Sequence, residues 1–90
     1  MQEGNIKPET VARIFGQVLR ARRKKHGLSQ EKLAEESYLD PTYISLLERG
    51  KKQPSLTALL RLANALEVRA AEMVESVQKN YPADEDRRKP

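Results

Sequence analysis

A chain of 90 residues, 38% of them apolar and 33% charged, holds enough apolar matter for one compact core and too little for a second. With no cysteine and a single histidine it lacks the raw material for disulfides, thiolate metal sites, cysteine nucleophiles or triads, so no catalytic group, metal or cofactor is expected. No apolar run is long enough for a membrane span or a signal segment, and the net charge of +4 favours a polyanionic partner, so a cytoplasmic protein is expected.

In chain order, residues 1–7 read as a flexible leader, and Pro8 suits the first turn of a helix, where a missing amide proton costs nothing. Val11, Phe15, Val18, Leu19 and Arg22 then recur at steps of three and four, which predicts a first helix ending near His26 and closed by Gly27. Ser29 is suited to cap a short second helix, ending around Ser37, with Leu33 and Ala34 facing inward. Asp40 followed by Pro41 opens a third helix, whose buried side is Ile44 and Leu47 and which Gly50 stops. Pro54 and Ser55 open a fourth, where Leu56, Leu59, Leu60, Ala63 and Leu66 form the most apolar stripe and the expected centre of the core. A fifth helix runs through Ala70, Met73, Val74 and Val77 and fades near Tyr81. Residues 82–90 are too polar and proline-flanked to pack and read as a disordered tail. No stretch alternates as a strand does, so the expected class is all-α, with five helices in one domain over residues 8–81.

The charge is unevenly spread. Arg20, Arg22, Arg23, Lys24 and Lys25 fall within six residues, and a second group follows at Arg49, Lys51 and Lys52. The acidic residues lie largely elsewhere, at Glu31, Glu35, Glu36, Glu67, Glu72 and Glu75. Such asymmetry suits a polyanion touching one face, although a solvated helix face would read the same way. His26 reads as a helix-end residue favoured by the dipole rather than a ligand or base. Met73, Val74 and Val77 either complete the core or form the seam of a dimer.

The segment Ser29–Gly50 is the most informative. Two short helices joined by a turn of about four residues cross steeply only if the contact residue is small, and Ala34 occupies that place. Leu39, Ile44 and Leu47 line the corner, which leaves Thr42, Tyr43, Ser45, Leu46 and Arg49 on the free side of the third helix. A helix presented in that way fits the major groove of DNA, where hydroxyls and methyl groups meet base edges. Packing against a neighbouring helix is the lesser reading of Tyr43, and Leu46 reads equally as a core residue.

The stretches GLSQEKLAEES, DPTYISLLERGKKQPSL and LANALEV resemble the phage lambda repressor and Cro-like helix-turn-helix family, also called the XRE family, over about residues 14–78. The resemblance implies a five-helix, lambda-repressor-like domain with the helix-turn-helix at helices 2 and 3, binding a palindromic double-stranded DNA operator as a homodimer to repress or activate transcription. It implies base contacts from Pro41, Thr42, Tyr43, Ser45 and Leu46, and phosphate contacts from Gln30, Arg49, Lys51 and Lys52. It also implies an internal ion pair between Arg23 and Glu48. One departure stands out, since the turn position usually held by glycine is Tyr38, which in a left-handed conformation costs about 1 kcal/mol more. The third helix also lacks amide side chains that grip adenine, which shifts base preference toward hydroxyls, methyls, water and DNA shape. No small-molecule pocket is expected. The alternative reading is an antitoxin or protein-interaction module on the same fold, its tail ordering on a partner.

Overall fold

Capping chemistry sets the helix boundaries. The computed structural model describes residues 5–82, and its elements are α1 (Pro8–Lys25), α2 (Gln30–Ser37), α3 (Pro41–Glu48), α4 (Leu56–Ala65) and α5 (Ala70–Asn80), with no strand among the described residues. Ser29, Asp40 and Ser55 each turn a side-chain oxygen back onto a free amide at the start of α2, α3 and α4, those of Lys32, Thr42 and Ala58. Pro8 and Pro41 open α1 and α3 with their backbone already in helical geometry. Residues 1–4 and 83–90, most of the expected leader and tail, lie outside the described residues. Of the rest, Lys7 donates its amide to the Tyr81 hydroxyl at 3.0 Å, which ties the entry of α1 to the end of α5.

The first four helices end alike. In each, one residue takes a left-handed conformation and two backbone amides fold back onto the last turn: Gly27 and Leu28 on α1, Tyr38 and Leu39 on α2, Gly50 and Lys51 on α3, Glu67 and Val68 on α4. The sequence marks the two glycines and raises the question of Tyr38, which the structure answers with φ 62°, ψ 38°. Glu67, at φ 58°, carries no such mark.

The core gathers Phe15 and Leu19 of α1, Leu33 and Ala34 of α2, Ile44 and Leu47 of α3, Leu62, Ala63 and Leu66 around α4, and Met73 of α5. α1 packs against α3 and α5, and α2 packs against α3 and α4. Because α1 has neighbours on two sides, its buried face is broader than the expected stripe: Ala12, Ile14, Gly16 and Arg23 are buried, while Val11, Val18 and Arg22 are only half-buried. The expected centre of α4 is corrected in the same way. Leu56 and Leu60 are 72% and 54% exposed, and the inward face instead centres on Ala58, Leu62, Ala63 and Leu66. Leucines spread over about 160° of that helix, an arc that the pattern alone does not divide into covered and uncovered parts.

Candidate nucleic-acid interface

α3 is held from behind. Ile44 and Leu47 are fully buried, and Gly16 of α1 faces the carbonyls of Leu47 and Glu48 so closely that backbone meets backbone. Glu48 is the electrostatic anchor. Its side chain is 2% exposed and accepts two bonds from Arg23 at 2.6 and 3.0 Å and one from Gln30 at 3.0 Å. Arg23 also donates to the Leu28 carbonyl at 2.8 Å, so one guanidinium joins α1, the turn before α2 and the end of α3. Burial pushes the Glu48 carboxyl upward, but the bonds from Arg23 and Gln30 and the charges of Arg23 and Arg20 outweigh it and hold the group below the usual glutamate range. The bond to Glu48 outweighs desolvation at Arg23 too and raises its guanidinium above the ordinary value.

The opposite side of α3 is open. With about 100° of rotation per residue, Thr42, Ser45, Leu46 and Arg49 share an arc facing away from Ile44 and Leu47. Thr42 and Arg49 are exposed, and Ser45 and Leu46 half-exposed, with Leu46 outside the main apolar core. Pro41 is exposed at the tip of the helix. Tyr43 sits at the side of the arc, half-buried against the core, its hydroxyl accepting the Ser55 amide at 3.3 Å. Contact with the core thus covers part of its ring, and the residue before α4 holds its hydroxyl. Gln30, half-buried at the start of α2, gives an amide proton to Glu48. Lys51 and Lys52 are exposed beyond Gly50, in a loop that Gln53 fastens to α1 through the Pro8 carbonyl at 3.4 Å.

The run of cations on α1 does not form one face. Arg23 is consumed internally, Arg22 reaches Ser76 of α5 at 3.5 Å, and Arg20 lies close enough to Glu48 to act on its charge. Arg20 is thereby an exposed cation of the run placed on the α3 side, which clustering in sequence does not reveal. His26 ends α1 with its Nε2 3.8 Å from the Glu67 carboxylate. Among the described residues no group of three or more histidines, cysteines or carboxylates is placed to hold a metal, and no helix is long and apolar enough to cross a membrane.

Two short helices locked at a corner, the second carrying hydroxyls and cations on its uncovered side, define a helix-turn-helix protein of the DNA-binding, transcription-regulating class. The chain belongs to the helix-turn-helix family, whose profile matches residues 19–73. It is 41% identical over 63 residues to the control protein C.BamHI of Bacillus amyloliquefaciens, covering 69% of this chain and 78% of that one. The restriction-modification controller protein C.AhdI from Aeromonas hydrophila superposes with a TM-score of 0.67 at 45% identity, covering 69% of this chain and 94% of that one. The clp gene regulator ClgR from Corynebacterium glutamicum superposes at 0.74 with 31% identity, covering 79% and 76%. The fold and family expected from the sequence are those found.

Proposed function

We propose that this chain acts as a homodimeric, sequence-specific transcriptional regulator that lays α3 in the major groove of a palindromic double-stranded DNA operator. The observation that carries the reading is the division of α3 into a locked inner face and an open outer one. In this arrangement Thr42 and Ser45 meet base edges, Pro41 leads the helix into the groove, and Leu46 touches a thymine methyl. Tyr43, anchored by Ser55, lies beside sugar or phosphate. Gln30, Lys51, Lys52 and Arg49 supply the polar and cationic contacts that hold the duplex. The protein works in the cytoplasm, binds its operator without a cofactor and catalyses no reaction.

Pairing of two copies uses the apolar surface that the domain leaves uncovered. Leu56 and Leu60 of α4 and Val74 of α5 are exposed, and Leu60 lines a shallow groove with Ala63, Val68 and Ala70, edged by the polar Thr57, Arg61 and Asn64. A second copy placed there in two-fold symmetry covers the leucines and sets two α3 helices apart for two half-sites. The test is selection of bound duplexes from a random pool, followed by sequencing. Enrichment of an inverted repeat supports the reading, and affinity for it should fall steeply with salt. Recovery of the pool unchanged, with no salt dependence, refutes it.

A further inference from the structure

Arg49 stands at the centre of the open face of α3, not at its rim. Taking Thr42 as the reference direction, about 100° per residue puts Arg49 within about 20° of it, with Ser45 about 60° to one side and Leu46 about 40° to the other. Although Arg49 is the capping residue, its amide still bonds the Ser45 carbonyl at 3.0 Å, so its position continues the helix. Lys51 and Lys52 differ. The left-handed turn at Gly50 carries the chain off the axis before them.

The side chain of Arg49 is also restrained. Its Nε donates to Ser45 Oγ at 3.3 Å, which folds the guanidinium back along the outer face of the helix. The Nη1 and Nη2 groups have no partner among the described residues and present two parallel N–H donors. That edge matches the O6 and N7 acceptors of guanine, the pair that an arginine reads in a major groove. Side-chain length fits as well. A helix that enters the groove by its N-terminus lies deepest at Thr42 and shallower toward its end, so short hydroxyls serve the first turn and a long arm serves the last.

We infer that Arg49 is a specificity-determining residue that reads a guanine from the C-terminal end of α3, with Ser45 as its positioning partner. This rests on the DNA-binding reading above. It moves Arg49 from the phosphate contacts to the base contacts and gives the helix a bidentate reader in place of the amide side chains it lacks.

The test measures wild type, Arg49→Ala, Ser45→Ala and Lys52→Ala against a panel of duplexes in which each base pair of the selected operator is changed in turn, at several salt concentrations. Thermal melts accompany them to verify folding. For wild type, one G·C pair per half-site should be preferred by roughly tenfold or more over its substitutions. In Arg49→Ala that preference should fall to about twofold or less while the others persist, and in Ser45→Ala it should weaken at the same pair. Lys52→Ala should lower affinity for every duplex alike and flatten the salt dependence. If Arg49→Ala behaves like Lys52→Ala, with all preferences intact, the inference is overturned and the DNA-binding reading stands. If wild type binds no duplex, both fall.

Discussion

Gly16 of α1 and Leu47 of α3 touch through their backbones: a methyl group on Gly16 would collide with the Leu47 carbonyl oxygen and lie 2.7 Å from that of Glu48. The two helices therefore cross with no room for a side chain between them at this point, and that crossing sets how far α3 projects. Carbonyl oxygens within a helix yield less than a side-chain tip does. Gly16→Ala should cost about 1–3 kcal/mol in urea unfolding, and operator affinity should fall even where the variant remains folded, because α3 is displaced.

Glu48→Ala strands a buried guanidinium and should cost about 3–5 kcal/mol, whereas the paired replacement Arg23→Met with Glu48→Leu should recover most of the loss. The pH dependence follows from the lowered Glu48 value. The unfolded state binds the proton more readily, so the stability it contributes is present above the unfolded glutamate value of about 4.3 and is lost as pH falls through the lower folded value. Unfolding midpoints followed downward from pH 6 should drop more steeply for wild type than for Glu48→Gln.

Tyr38 and Glu67 hold left-handed conformations that glycine adopts freely, and Tyr38 is 83% exposed, so its ring recovers little by packing. Relief of about 1–2 kcal/mol of backbone strain, offset by the greater freedom of glycine when unfolded, should leave Tyr38→Gly and Glu67→Gly each more stable by about 0.5–1 kcal/mol. Calorimetry should show the melting temperature rising by about 4 °C for each.

Leu60→Glu places a carboxylate on the uncovered face of α4 without touching the core. Sedimentation should show a monomer where wild type shows a dimer, with the melting curve little changed at low concentration. Affinity for a two-half-site duplex should fall by roughly a hundredfold while that for a single half-site stays constant.

Most of this architecture was legible because its signals are local. A serine or aspartate before a helix and a proline in its first turn act within a few residues, and the helix starts at Pro8, Gln30, Pro41 and Leu56 follow from them. Ala34 and, Tyr43 apart, the outward set on α3 were legible through the same motif. Orientation was harder. Leu56 and Leu60 look like core because they extend one broad leucine arc of α4, and only its neighbours decide which leucines are covered. The five cations of α1 look like one patch, yet a helix distributes consecutive residues around its circumference. Gly16 gave no sign at all, since close approach depends on a partner more than thirty residues away. Glu67 was equally silent, because nothing in its side chain announces a left-handed turn.

The central claim is that the outer face of α3 meets duplex DNA. Its most direct measurement is an NMR titration of the labelled protein with the selected operator duplex. Resonances of Thr42, Ser45, Leu46 and Arg49 should shift most, with those of Lys51 and Lys52 following and those of Gln78 on α5 staying in place. A duplex that shifts α5 and leaves Thr42 and Ser45 unmoved would contradict the account.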